Sequence, residues 1–291
     1  MRTALVTGGT DGIGKEIALG LANFGHRVII VGHNQEKGDR AQREIRQTTG
    51  NPNVEFVRAD LGLVSETARL AEDVTRRFPE LHYLVLSADV VRGRRELTSE
   101  GIESNFAINY LSRFVLIRRM LPLLIVTGRP GSAARIVLVS GAARNGRVYF
   151  DDVNLATNFG TLRAVGQFCQ ANDLLTVELA RRLVENGQGN VTVNCLKRGV
   201  VKTNIRREFP WWMKWLVPLL LDPLIGQTAH NAAKAALDLF SSEAFERFTG
   251  ALFLKIRDLK RITPSARTLE RRAGQQLWQL SERLADQNVV R

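Results

Sequence analysis

Thr7-Gly8-Gly9-Thr10-Asp11-Gly12-Ile13-Gly14 joins an apolar run, Ala4-Leu5-Val6, to a helical pattern that begins near Ile13. The pattern reads as a strand, a glycine turn and a helix start. Gly8, Gly12 and Gly14 are spaced G-x-x-x-G-x-G, so the backbone can turn tightly and a pyrophosphate can approach the first helical N–H groups. The helix dipole favours the phosphate charge. A glycine triplet by itself also suits a tight turn that holds no ligand. Here a second apolar strand, Arg27-Val28-Ile29-Ile30-Val31, follows after one helix, as the first βαβ unit of a dinucleotide-binding fold requires.

With 291 residues and 44% hydrophobic composition, the chain can build one large α/β domain, and no linker divides it. Its two cysteines, Cys169 and Cys195, lie far apart inside regular elements, so neither a disulfide framework nor a metal site is expected. A reduced, cytoplasmic compartment is the expectation. The first strand begins near residue 2 and leaves no room for a signal core. The net charge of +12 raises the question of nucleic acid, but Lys and Arg are scattered and interleaved with Glu, as in Arg40, Arg43, Glu44 and Arg46. These read as solvated helix faces, and nucleic acid is not an expected partner. A basic surface still helps gather an anionic cofactor.

Strands and helices then alternate. Gly50-Asn51-Pro52 stops a polar helix over 35–49, and Val54–Val57 opens a third strand that runs on to Asp60-Leu61. A helix over 64–78 leads to Tyr83-Leu84-Val85-Leu86, a run with the continuous apolar character of a buried parallel strand. A long helix over 103–126, a strand over 135–140, a helix over 161–186 and a strand over 191–196 follow. A helix near 227–241 and a strand over 251–256 complete the series, giving a doubly wound, seven-stranded parallel Rossmann sheet with helices on both faces. One domain over 1–291 is expected, with an apolar segment over 205–226 and a helical extension over 263–291 carrying Leu269, Ala273, Leu277, Leu280 and Leu284 at helical spacing. Oligomeric state stays open between monomer and homodimer.

Beyond the turn, several separate motifs resemble the short-chain dehydrogenase/reductase family, specifically its retinol-dehydrogenase-like branch: Asp60-Leu61, Asn109 in the central helix, Glu178-Leu179-Ala180-Arg181-Arg182-Leu183, and Thr203 after the sixth strand. The resemblance implies that Asp60 and Leu61 hold the adenine and that Thr203 meets the nicotinamide carboxamide. It also marks departures. The family's serine falls at Gly141, with Ser140 one residue early and expected to face the other way, and its tyrosine and lysine fall at Val165 and Cys169. Its Asn-Ala-Gly loop reads Ser87-Ala88-Asp89, and its Pro-Gly reads Arg198-Gly199, followed by Val201. None of the three tyrosines, Tyr83, Tyr110 and Tyr149, has a lysine four residues on, so no shift of alignment restores the motif. Tyr110, Tyr149 and His230 read as structural residues rather than substitutes.

The cofactor set expected from these motifs is Gly8, Thr10, Asp11, Gly12, Ile13, Gly14, His33, Asn34, Asp60, Leu61, Ser87, Ala88, Asp89, Asn109, Arg198, Gly199, Val201 and Thr203. The second strand ends in Val31-Gly32-His33-Asn34 without an acidic residue, and Lys15 with His33 can face a 2′-phosphate, so NADPH is expected, with NADH as the alternative. Without the tyrosine the triad positions supply no acid, and Asn109 and Ser140 are left with secondary roles. Phe209, Trp211, Trp212, Trp215 and Leu216 offer a wall for a planar aromatic substrate. The expected function is NADPH-dependent reduction of a carbonyl on a polycyclic aromatic polyketide, with the proton taken from an adjacent substrate hydroxyl. A non-catalytic dinucleotide-binding module is the alternative. The apolar segment also suits an interfacial patch, but about ten apolar residues broken by proline cannot span a membrane.

Overall fold

The computed structural model describes residues 1–143, 146–198, 228–241, 245, 248–256 and 258–289. The chain opens with β1 (Thr3–Thr7), α1 (Gly12–Asn23), β2 (Arg27–Gly32), α2 (Gln35–Thr49), β3 (Val54–Arg58), α3 (Val64–Arg77) and β4 (Tyr83–Leu86). Asp11 starts α1 by accepting from the Gly12 N–H at 2.8 Å, and Gly50 ends α2 in the left-handed region at φ 68°. Next come α4 (Ser104–Phe106), a π-helical turn (Ala107–Leu111), α5 (Ser112–Thr127), β5 (Ala134–Gly141), α6 (Thr161–Glu185) and β6 (Val191–Arg198). The last described elements are α7 (Ala229–Ser241), β7 (Ala251–Lys255), β8 (Leu259–Ile262), α8 (Ala266–Leu269) and α9 (Arg271–Val289).

The sheet order is β3-β2-β1-β4-β5-β6-β7-β8, parallel through β7. The strand order therefore reverses between β1 and β4, and this switch point opens a crevice beyond the carboxyl ends of the strands. Two apolar clusters fill the two faces: α3, α5 and α6 pack on one, and α1 and α7 on the other. Strands buried on both faces explain the unbroken apolar runs of β1, β2 and β4.

Three expectations are corrected. The sheet has eight strands, because β8 adds to β7 in antiparallel sense. Its residues, Leu259-Lys260-Arg261-Ile262, are too few and too polar to announce a strand, and the two basic side chains suit an exposed edge. The long central helix is not uniform, since a π-helical turn over 107–111 interrupts it around Asn109. The tail begins with the short α8 before α9 docks on α6 and α3. There Trp278 packs edge-on to Phe114 at 5.0 Å between centroids, and Tyr110 Oη lies 2.6 Å from Ser281 Oγ.

Candidate functional site

A cleft of about 700 Å³ runs across the carboxyl ends of the strands. Gly8, Thr10, Asp11, Gly12, Ile13 and Gly14 form its middle, His33, Asn34, Asp60 and Leu61 line one end, and Ser87, Ala88, Asp89 and Arg198 the other. The glycines are sterically required. A Cβ on Gly8, at φ 66°, would lie 2.8 Å from the Ala88 backbone, and one on Gly14 would lie 2.3 Å from the Gly8 carbonyl oxygen. The turn thus folds back on itself and leaves the first N–H groups of α1 facing the cleft, a cradle suited to a pyrophosphate.

The β4 loop is fastened from beneath. Thr7 Oγ1 accepts from the N–H groups of Ser87 at 3.0 Å and Ala88 at 3.2 Å. Asn109 turns its amide to the same loop, accepting from Val90 N–H at 2.8 Å and donating to the Val90 carbonyl at 2.6 Å. One π-helical turn therefore aims a single side chain at both polar groups of one loop residue. Asn105 accepts from Arg92 N–H at 2.7 Å. Glu103 caps α4 through the N–H groups of Asn105 and Phe106, and burial pushes its carboxyl above the ordinary glutamate value despite those bonds.

A charged group runs from the wall of the cleft into the core beneath it. Asp89 pairs with Arg198, and Lys197 with Asp173. Arg113, only 2% exposed, donates to the Ala88 carbonyl at 2.9 Å and to Asn172 Oδ1 at 3.4 Å. Asn172 in turn donates to the carbonyls of Asn109 and Phe168. Burial opposes the Lys197 charge, yet the Asp173 carboxylate outweighs it and holds the ammonium above the ordinary lysine value. Arg113, Asp173 and Lys197 escaped the sequence reading. Arg113 stands four residues after Asn109, one helical turn on, which is the only local signal for any of them.

Several expected residues stand elsewhere. Lys15 pairs with Glu44 of α2 and does not line the cleft; Lys37, in the first turn of α2, lines it beside His33. Asn109, Ser140, Gly141, Val165 and Cys169 lie off the cleft, with Asn109, Ser140 and Cys169 fully buried. Ser140 does not turn away from α6: its Oγ is 3.9 Å from Cys169 Sγ, and a Cβ on Gly141 would lie 3.2 Å from the same sulfur. Tyr110 is tied to Ser281, the Tyr149 ring is covered by Arg147 and Arg163 at 4.5 and 3.7 Å, and His230 faces Glu16 at 3.0 Å. Gly199, Val201, Thr203, Phe209, Trp211, Trp212, Trp215, Leu216 and the whole 205–226 segment lie outside the described residues. Among the described residues there is no cluster of His, Cys, Asp or Glu able to hold a metal, and no helix long and apolar enough to cross a membrane.

Residues 2–154, from the glycine turn through the Asn109 brace, match the short chain dehydrogenase family. The chain belongs to the short-chain dehydrogenase/reductase family. It is similar over nearly its whole length to human polyprenol dehydrogenase, 31% identical over 281 residues that cover 96% of this chain and 84% of the relative. Mouse retinol dehydrogenase 13 is 32% identical over 288 residues, covering 97% and 83%. Among solved structures, an uncharacterised protein of Mycobacterium paratuberculosis aligns with a TM-score of 0.76 at 25% identity, covering 98% of this chain and 94% of that one. The complex of Pseudomonas aeruginosa RhlG with NADP aligns at 0.69 and 25% identity, covering 87% and 94%. The two solved structures share the fold of this chain, and RhlG is seen with NADP at its active site.

Proposed function

We propose that the chain is an NADP(H)-dependent ketoreductase that works without a tyrosine acid. The observation that carries this is the cleft across the switch point, whose glycine turn folds back so closely that a Cβ at Gly14 would strike the Gly8 carbonyl, leaving the first N–H groups of α1 at the cleft. Asp60 and Leu61 hold the adenine end, the N-terminus of α1 holds the pyrophosphate, and His33 with Lys37 faces the 2′-phosphate. The bound nicotinamide supplies the hydride. The chain's own residues orient the reactants, a contribution of up to about 7–11 kcal/mol in well-aligned systems. A general acid typically adds ~10²–10⁴-fold, so its loss lowers the rate without abolishing reaction.

In this reading Gly141, Val165 and Cys169 occupy the places of the family's serine, tyrosine and lysine. Burial pushes the Cys169 thiol up to about 11, so it keeps its proton at neutral pH and lies away from the cleft. A substrate whose ketone is hydrogen-bonded to its own adjacent hydroxyl brings the missing proton. The substrate class argued from Phe209, Trp211, Trp212, Trp215 and Leu216 is a planar aromatic polyketide of the angucyclinone type, as for the triad-lacking ketoreductase of simocyclinone antibiotic biosynthesis, which the chain resembles. Relatives named for polyprenol and retinol favour a second class, a long isoprenoid alcohol or its carbonyl form.

The experiment follows NADPH oxidation with paired aromatic ketones whose adjacent hydroxyl is free or methylated, with retinal alongside. Turnover of the free hydroxyl form well above its methyl ether supports the proposal. Equal rates for the pair remove substrate-assisted protonation, turnover of retinal alone moves the substrate to the isoprenoids, and NADPH binding without any oxidation leaves a non-catalytic binding module.

A further inference from the structure

We propose that Asp89 accepts the hydroxyls of the second ribose of the bound dinucleotide, and that Arg198 positions it for that task; this rests on the dinucleotide reading above. Asp60 follows β3, His33 follows β2, the glycine turn follows β1, and Asp89 follows β4, so the cleft is crossed in that sequence. A dinucleotide with its adenosine at Asp60 and its pyrophosphate on α1 brings its second ribose past the switch point to the end of β4. A ribose diol presents two O–H donors, and a carboxylate is the acceptor that takes both.

Asp89 is built for such donors. Its side chain is 8% exposed, Oδ2 is held by Arg198, and Oδ1 is buried with no hydrogen-bond partner among the described residues. A buried acceptor left unpaired is costly, and an arriving hydroxyl removes that cost. The backbone beside it is already held by Thr7, Asn109 and Arg113, so little ordering is needed on binding. Arg198 reaches over from β6, whose last residue is paired in register with Gly141 of β5. The ion pair therefore straps β4 to β6 across the end of β5 and fixes the carboxylate at the cleft wall.

Calorimetric titration of three ligands tests this: NADPH, 2′-phospho-ADP-ribose, which keeps the second ribose but lacks nicotinamide, and adenosine 2′,5′-bisphosphate, which ends before it. For Asp89→Asn the expected result is about tenfold weaker binding of the first two and unchanged binding of the third. Arg198→Gln should weaken the same two ligands by a smaller factor, and Arg198→Lys should recover part of the loss. Weakening of all three ligands alike would make the pair a structural brace, and weakening of NADPH alone would move the contact to the carboxamide; either overturns the assignment. An unaltered chain that binds none of the three overturns the dinucleotide reading itself.

Discussion

Lys15 and Lys37 are both near the start of a helix beside the cleft, and only their partners separate their roles. Lys15 is paired with Glu44 and ties α1 to α2, whereas Lys37 is exposed at the cleft beside His33. Lys37→Glu is therefore expected to weaken NADPH binding at least tenfold with little change for NADH, and Lys15→Ala to leave the ratio of the two affinities unaltered; titration of both nucleotides checks this. The cysteines give a second expectation at this scale. Burial pushes Cys169 up to about 11 and Cys195 up to about 12, so both remain protonated thiols at pH 8. Neither is expected to react with an aromatic disulfide reagent in the native protein, and both should react once it is unfolded.

At the scale of elements, the turn between β1 and α1 has no room to vary. Gly14→Ala sets a Cβ 2.3 Å from a backbone oxygen that cannot swing aside, so the start of α1 must shift. Loss of measurable NADPH binding by calorimetry is expected, with the sheet retained in circular dichroism. On the opposite face, Glu178 of α6 receives Arg181 at 2.9 Å and Arg182 at 2.7 Å and lies against Gly274 of α9. Burial alone would raise this carboxyl, but the two arginines outweigh it and hold it below the ordinary glutamate value. A depressed folded value means that the stabilisation is full above the unfolded-state value and is lost as pH falls through the folded one. Glu178→Gln should thus destabilise the protein by about 1–3 kcal/mol at pH 7, with the gap closing below about pH 4, as read by urea melts at the two pH values.

For the whole molecule, the buried charges join elements that are remote in sequence. Asp89 follows β4, Arg113 lies in α5, Asp173 in α6, and Lys197 and Arg198 in β6, so three cations stand against two carboxylates around Cys169. Putting tyrosine at Val165 and lysine at Cys169 would add a fourth cation where the sulfur now sits between Ser140 and Gly141. An unpaired buried ammonium is strongly unfavourable. The double variant is expected to melt several degrees lower and to gain no turnover on an aromatic ketone. A tenfold gain in kcat at unchanged melting temperature would mean instead that the missing acid limits the rate.

Local pattern made the glycine turn, the strand and helix alternation and most of the cleft legible in the sequence, because each depends on residues within one turn or one strand of each other. Gly8, Gly12 and Gly14 announce a turn by their spacing, and β1, β2 and β4 announce a buried parallel sheet by their unbroken apolar runs. Parallel strands joined by helices then place every loop after a strand at the same edge, so Asp60, His33 and Asp89 could be grouped before any contact was known. What only the tertiary structure decided is which charged group each side chain meets. Asp89 and Arg198 are 109 positions apart, and Arg135 reaches the Leu239 and Phe240 carbonyls more than a hundred positions away. The strand β8 likewise exists because β7 offers an unpaired edge, and the π-helical turn places Asn109 where both polar groups of Val90 can be met. Such features depend on three-dimensional neighbours that have no fixed spacing along the chain, whereas backbone period and turn chemistry are written within it.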